Sequence, residues 1–316
     1  MKLIIQIPCY NEEQTLRQVL EELPKEIPEI SKIETMIIDD GSRDKTIEIA
    51  ETFGVNHIVK HRGNMGLGNA FQSGVSKALL EGADILVNTD GDNQYPGKYI
   101  ADLVKPIIEK HADFVMGDRQ TSTIQHFSIL KKFFQWLGSL LVRFFSGTNV
   151  PDSVSGFRAY SREALFKLNV TSDFSYAVDT LVQAGSKKIK IAHVPITTNK
   201  PTRPSRLFSS MWQHMTQTLS ILLRVYAMYH PMKLFFTAGS IFGIIGILGI
   251  LRFLYFYITI DGNTGRVQSL ILSGTFLTVA TIFFALGIIG DLISKNRKLI
   301  EDQLYITKKM YYNKTK

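Results

Sequence analysis

At 316 residues the chain has room for one large domain and a smaller unit, and its single cysteine, Cys9, excludes an intrachain disulfide. Lysine and arginine total 36 against 28 acidic residues, a formal net charge of +8. The basic residues are scattered or flank apolar runs, with no arginine-rich arm and no aromatic-basic repeat. That pattern sets nucleic acid aside and leaves an anionic membrane surface or an anionic substrate as counterpart.

In chain order, residues 3–8 read as a buried strand that Pro8 stops. No small-residue cleavage site follows this short apolar run, so it is a first strand and not a signal peptide. Residues 11–23 place Leu16, Val19, Leu20 and Leu23 on one helical face, with Asn11 as N-cap. Residues 33–39 form the next strand and Asp44–Phe53 the next helix. His57–Lys60 is a short strand, Gly68–Glu81 a helix, Asp84–Asn88 a strand, Pro96–His111 a helix and Asp113–Met116 a strand. Strands alternating with helices predict a mostly parallel α/β sheet with its ligands at the carboxyl ends of the strands.

The character then changes. Residues 122–146 carry a broad apolar surface, including Phe127, Phe133, Leu137 and Phe144, broken by Lys131, Lys132 and Arg143. This is either a buried core helix or one lying on a membrane. Residues 207–230 repeat the pattern and, because a span follows directly, read as an interfacial helix. From Pro231 to Leu251 there are 21 residues, about 31 Å of helix, enough to cross a hydrocarbon core of roughly 30 Å. Phe253, Tyr255, Phe256 and Tyr257 form an interfacial belt, and a second apolar run extends from Val267 to Gly290. The expected spans are about 231–257 and 267–292, joined by a short link into a hairpin. Lys200, Arg203, Arg206 and Arg224 precede the first span, and Lys295, Arg297 and Lys298 follow the second. The positive-inside rule places both tails, and the catalytic domain, in the cytoplasm. Gly239, Gly243, Gly246 and Gly249 permit close helix packing, including that of a homo-oligomer. The expected organisation is a catalytic domain over 1–206, an interfacial helix over 207–230, two spans within 231–293 and a basic tail over 294–316.

Two predicted strands end in carboxylates. Met36-Ile37-Ile38 runs into Asp39-Asp40, and Ile85-Leu86-Val87 leads to Asp90-Gly91-Asp92-Asn93-Gln94. Two carboxylates about 4 Å apart repel by roughly 1 kcal/mol in water and about 4 kcal/mol at an effective dielectric of 20. A divalent cation bridging carboxylate and phosphate oxygens removes that conflict, and oxygen donors favour Mg²⁺ or Mn²⁺ over zinc. Asp90, Asp92 and Gln94 are the candidate ligands. At the end of the first strand, Tyr10 can stack on a base and Glu12 accept from a ribose or base; Glu12 and Glu13 also suit a helix first turn. Gly63-Asn64-Met65-Gly66-Leu67-Gly68 is a glycine-rich loop opening a helix, either a phosphate cradle around Gly68 or a structural turn. Ser155-Gly156-Phe157-Arg158 reads as a loop over the site, with Asp152 upstream and Arg158 as a buried ion-pair partner. Arg203, Ser205 and Arg206 can clamp a lipid phosphate at the bilayer surface.

Together, Pro8-Cys9-Tyr10-Asn11-Glu12, Asp39-Asp40-Gly41-Ser42-Arg43-Asp44, Gly66-Leu67-Gly68-Asn69-Ala70, Asp90-Gly91-Asp92-Asn93-Gln94-Tyr95 and Ser155-Gly156-Phe157-Arg158 resemble a family 2 glycosyltransferase of the GT-A fold, a Rossmann-like catalytic domain. With the hairpin, the chain is most similar to polyprenyl-phosphate sugar transferases, the dolichyl-phosphate mannose synthases and bactoprenol glucosyltransferases. The resemblance implies nucleotide contacts at Pro8, Tyr10, Glu12 and Asp39 or Asp40, a metal at Asp90, Asp92 and Gln94, and an acceptor loop at Arg203, Ser205 and Arg206. It implies inverting transfer of one hexose from a nucleotide sugar, UDP-glucose ahead of GDP-mannose, to polyprenyl phosphate in a bacterial or archaeal plasma membrane. Asp92 and Arg158 are expected at the reacting centre, and Asp152 is the candidate for positioning or residual proton transfer. The family's carboxylate pair near Phe174–Asp179 is represented only by Asp179, and the Gln-x-x-Arg-Trp motif of processive synthases is absent. The rival readings are transfer to a glycerolipid or ceramide hydroxyl, and a non-catalytic nucleotide-sugar-binding membrane protein.

Overall fold

Five consecutive buried residues, Leu3 to Ile7, leave β1 (Lys2–Cys9) no solvent face, as a strand covered by helices on both sides requires. In the computed structural model the described residues are 1–120, 143, 147–148, 150–152, 155–170, 176–199, 220, 223–259 and 267–313. The chain divides into Met1–Leu222 with Leu304–Lys316, and Leu223–Gln303.

In the first unit, β1 is followed by α1 (Leu16–Glu21), β2 (Lys32–Asp39), α2 (Thr46–Thr52), β3 (His57–Lys60), α3 (Leu67–Leu80) and β4 (Ile85–Asn88). Then come α4 (Ile100–Ile108), β5 (Phe114–Asp118), β6 (Arg158–Ser161), α5 (Arg162–Lys167), α6 (Tyr176–Ser186) and β7 (Ile191–Pro195). The seven strands run in the order β3-β2-β1-β4-β6-β5-β7. Among the described strands only β6 is antiparallel to its neighbours, with Arg158 paired to Asn88 on β4 and to Met116 on β5. The other pairings are parallel, Cys9 lying opposite Asp39 and Gln6 opposite Asn88. The carboxyl ends of β1, β2, β4 and β5 therefore share one edge with the start of β6. This is the mostly parallel, Rossmann-like GT-A sheet expected. Helix α3 buries Ala70, Phe71, Gly74, Val75 and Ala78 at helical spacing, and Phe71 stacks on Tyr176 with centroids 4.2 Å apart.

Asn11 does not cap α1. Its φ of 56° is left-handed, its backbone N–H donates to Ser42 Oγ at 2.9 Å, and its Oδ1 accepts from Arg43 N–H at 2.8 Å. An Asn that tolerates this region joins two loops, and the helix begins only at Leu16.

In the second unit, α7 (Pro231–Thr259) and α8 (Val267–Asn313) are long and apolar enough to cross a membrane. Only 11% of the most apolar window of either is buried, unlike the core helices of a water-soluble fold. Built at Gly246, a Cβ would stand 2.8 Å from Leu277; at Gly287, 2.7 Å from Phe236; at Gly290, 2.8 Å from Pro231. The helices are thus antiparallel and in close contact, and Gly239, Gly243 and Gly246 are buried within this hairpin. At its base Arg297 donates to Glu301 at 2.8 Å and to the Tyr229 hydroxyl at 2.9 Å.

Helix α8 continues past the expected end of the span. Its last turns, in the first unit, lie on α5: the Tyr305 hydroxyl donates to Glu163 at 2.6 Å, Arg162 donates to the Tyr312 carbonyl at 3.1 Å, and Phe166 packs on both tyrosines. All but residue 143 of the expected 122–146 helix, most of the 207–230 helix, and Arg203, Ser205 and Arg206 lie outside the described residues.

Candidate active site

Parallel strands bring three predicted clusters to one edge: Tyr10–Glu12 after β1, Asp39-Asp40 at β2, and Asp90–Gln94 after β4. Antiparallel β6 returns Ser155–Phe157 to the same place.

The first two clusters interlock. Glu12 is buried; its N–H donates to Thr46 Oγ1 at 2.8 Å and its carboxylate accepts from Thr15 Oγ1 at 3.2 Å. Asp39 is 2% exposed and accepts from Ser42 N–H. Tyr10 is exposed at 37%. The two aspartates differ in their partners. Asp40 accepts from Met65 N–H at 2.8 Å, Gly66 N–H at 2.9 Å and the His61 ring at 2.7 Å, while the other His61 nitrogen meets Ser73 Oγ at 3.0 Å. Asp40 is thus the anchor of the glycine-rich loop. Amides that a phosphate cradle would need are already donated to it, and Gly68 is buried inside α3. Of the alternatives for this loop, the geometry supports the structural turn. Gly41, at φ 80°, presses on the loop so closely that a Cβ would stand 2.7 Å from Gly63.

Asp90 lies beneath Gly156, where a Cβ would stand 2.9 Å from both carboxylate oxygens. Only glycine leaves room there. A buried polar network holds this arrangement: Gln6 Nε2 donates to Asn88 Oδ1 at 2.8 Å, Asn88 Nδ2 donates to the Gly156 carbonyl at 3.0 Å and to the Tyr176 hydroxyl at 2.8 Å, and Gly156 N–H donates to the Tyr95 hydroxyl at 3.2 Å. Burial, then the Asp92 charge, push the Asp90 carboxyl up to about 7; Glu12 adds to this, and Arg119 and Arg158 oppose it. Asp92 accepts from Gln94 N–H at 3.1 Å.

Among the described residues no three His, Cys, Asp or Glu side chains cluster as a metal site. The donors at this turn are two carboxylates and the Gln94 carboxamide, all hard oxygens. They suit Mg²⁺ or Mn²⁺, which keep waters and share phosphate oxygens with a substrate.

Arg158 is fully buried. It donates to the Ser155 carbonyl at 2.6 Å and to the Ala177 carbonyl and Thr180 Oγ1 at 2.8 Å each, and lies over the Phe114 and Tyr176 rings. It holds the Ser155 end of the loop whose Gly156 lies over Asp90. Asp152 is 4% exposed and takes a two-pronged ion pair from Arg119: Nε to Oδ2 at 2.6 Å and Nη2 to Oδ1 at 2.9 Å. Sequence reading missed Arg119, whose signal was its place directly after β5. It also missed Thr15, Asn88 and Asn199, polar residues at strand ends or helix starts without a motif of their own. Asp179, 1% exposed, accepts from Gln183 Nε2 at 2.8 Å within α6.

Residues 4–168 match the family model described as glycosyl transferase family 2. The chain belongs to that family. Among curated relatives of this family 2 glycosyltransferase, the UDP-N-acetylglucosamine–dolichyl-phosphate N-acetylglucosaminyltransferase of Methanococcus voltae is 31% identical over 213 residues, covering 61% of this chain and 83% of the relative. The undecaprenyl-phosphate mannosyltransferase of Micrococcus luteus is 28% identical, covering 62% and 83%. In fold, the family 2 domain is similar to glucosyl-3-phosphoglycerate synthase from Mycobacterium tuberculosis, solved with Mn²⁺, UDP and glucosyl-3-phosphoglycerate. The TM-score is 0.54 at 22% identity, covering 70% of this chain and 79% of that one.

Proposed function

We propose that this family 2 glycosyltransferase moves one hexose, with inversion, from a nucleotide diphosphate sugar to polyprenyl phosphate at the cytoplasmic face of a membrane. The observation that carries this reading is the pairing, in one chain, of an oxygen-donor turn at the sheet edge with a hairpin of two helices long and apolar enough to cross a membrane. The relatives named above act on dolichyl phosphate and undecaprenyl phosphate, which supports the acceptor. UDP-glucose is the first donor to test and GDP-mannose the second.

In this reading Tyr10 stacks on the base, Pro8 and Glu12 line its pocket, and Asp39 accepts from the base or ribose, while Asp40 keeps the adjoining loop in shape. Asp90, Asp92 and Gln94 would hold Mg²⁺ or Mn²⁺. When bound, that cation supplies charge neutralisation for the departing nucleotide diphosphate. The acceptor phosphate, with a second pKa near 6, is largely ionised at pH 7 and attacks the anomeric carbon without a strong base. Arg203, Ser205 and Arg206 are assigned to that phosphate. Asp152, tied to Arg119, orients a cation beside Asp90 and is not an open proton acceptor. This favours a phosphate over a hydroxyl nucleophile, which would need such an acceptor.

The test is a panel of radiolabelled nucleotide sugars offered to the full-length protein with undecaprenyl or dolichyl phosphate, followed by organic extraction. One donor giving a lipid-extractable, phosphate-linked sugar is expected. Label transferred only to diacylglycerol or ceramide would replace this reading.

A further inference from the structure

The turn after β4 is held at both ends by residues outside the donor-binding set. At its far end Asn199 donates its backbone N–H to the Gln94 carbonyl and its Nδ2 to the Asn93 carbonyl, each at 3.0 Å. At its near end Thr15 donates its hydroxyl to the Gly91 carbonyl at 2.7 Å. That carbonyl belongs to the peptide leading into Asp92, so the bond sets the plane of the link between Asp90 and Asp92.

Thr15 stands at the N-cap position of α1, yet its side chain makes no capping bond. Threonine is favoured at such a position because its oxygen accepts from amides of the first turn. Here the hydroxyl is turned away from its own helix. It is buried, and two acceptors face its single hydrogen: the Gly91 carbonyl, and Glu12 Oε2 at 3.2 Å. Those two acceptors are packed together. A Cβ at Gly91 would stand 3.2 Å from Glu12 Cγ and 3.2 Å from Cys9 Sγ, so Gly91 lies flat against the stem of Glu12. The Thr15 hydrogen serves one acceptor at a time, and an ionised carboxylate competes for it strongly. A ligand N–H or O–H that donates to Glu12 satisfies that carboxylate and leaves the hydrogen on the Gly91 carbonyl.

We propose that Thr15 is a positioning residue that couples nucleoside binding at Glu12 to cation binding at Asp90 and Asp92. The inference deepens the function proposed above and rests on it. A base or ribose donor on Glu12 frees the Thr15 hydroxyl to fix the Gly91 carbonyl, and the turn is then ordered for the cation. Linkage makes the effect reciprocal: whatever factor the nucleoside adds to cation affinity, the cation adds to nucleoside affinity.

A nucleotide would mask this effect, because its phosphates reach the cation directly. The experiment therefore uses uridine and guanosine, which carry base and ribose without phosphate. Mn²⁺ is titrated into the full chain in lipid nanodiscs by electron paramagnetic resonance, with and without each nucleoside at saturation. In the wild-type protein at least one nucleoside should tighten Mn²⁺ binding about threefold, within the span that one neutral hydrogen bond provides. In Thr15→Val and Thr15→Ala, which lack the hydroxyl, the ratio should fall to near 1 while Mn²⁺ still binds. Thr15→Ser, which restores the hydroxyl, should restore the ratio, a rescue that a purely structural role does not predict. In turnover the two hydroxyl-free variants should raise KM for the nucleotide sugar more than KM for the lipid phosphate. A wild-type Mn²⁺ affinity indifferent to both nucleosides would overturn the proposal. So would hydroxyl-free variants with the wild-type ratio, or a serine variant that behaves like them. If the wild-type protein meanwhile forms lipid-linked sugar, the function stands and only the coupling falls. If it forms none from any donor, the function fails and the coupling with it.

Discussion

Asp90 and Asp152 are both acidic residues at the carboxyl edge, yet their surroundings assign them opposite duties. Asp90 lies under a glycine, its carboxyl is raised by burial and by the Asp92 charge, and it is a proposed ligand for a cation. Asp152 already has one, the Arg119 guanidinium. Two outcomes follow. Asp92→Asn removes one of the two carboxylates on the turn, and loss of a charge-stabilising group at a reacting centre costs about 100-fold or more in kcat. Lipid-linked sugar formed by purified membranes with Mn²⁺ supplied should fall by at least that much; full retention would remove the metal from Asp90 and Asp92. Asp152→Asn, by contrast, frees Arg119 without removing a proton acceptor that a phosphate nucleophile requires. Turnover should slow about tenfold, well short of the roughly 10²–10⁴ contributed by a general base. Complete loss in the same organic-extraction assay would point to a hydroxyl acceptor.

Elements differ in how openly the sequence states them. Strands β1, β2 and β4 each carry an apolar run, and those of β2 and β4 lead into aspartates, so the existence of all three was legible. The antiparallel β6 was not, because four residues are too few to show a period and read as a loop over the site. Arg158 is buried as expected, but against two carbonyls and a threonine hydroxyl. The role of Asp40 was hidden for a related reason: its neighbour Asp39 bears the same charge, and which of them faces a ligand depends on loop amides supplied 25 residues later. The far end of α8 escaped as well, since a basic tail suggests solvent, whereas Tyr305 and Lys308 use their polar tips, and Tyr312 its backbone carbonyl and ring, to grip α5 and the residues just after it. The loop entering β6 supplies a prediction at this scale. Gly156→Ala adds a methyl 2.9 Å from both Asp90 oxygens, and backbone pinned by Asn88 and Tyr95 cannot yield easily. The variant should keep its helical circular dichroism and its UDP affinity within about threefold. Its Mn²⁺ affinity and turnover should each drop about tenfold or more, because the displaced carboxylate is a proposed ligand.

Within the sheet of the first unit, the candidate site lies at one edge and an ion-pair cluster at the opposite edge. There, Glu34 on β2 has a side chain only 6% exposed, and it accepts from Lys2 at 2.7 Å, Lys32 at 2.6 Å and His57 at 2.7 Å. Burial alone would raise its carboxyl, but the hydrogen bonds from Lys2, Lys32 and His57 override that and bring it down from 4.5 to about 2. A folded-state value below the unfolded one means that the unfolded chain binds more protons between the two, so stability rises with pH through that window. The contribution of Glu34 is complete above about 4.5 and is lost as the pH falls toward about 2. Glu34 lies far along β1 and β2 from the Asp39 end, so its protonation should weaken the fold without altering the chemistry. Thermal melts of the full chain in detergent, followed by circular dichroism between pH 2 and pH 7, should show the melting temperature falling steeply below about pH 4.5. Glu34→Gln should lower the melting temperature at pH 7 and flatten its acid dependence, because the amide offers no charge for the two lysines and the histidine to surround. A Glu34→Gln protein with the wild-type slope would place the acid-sensitive group elsewhere in the molecule.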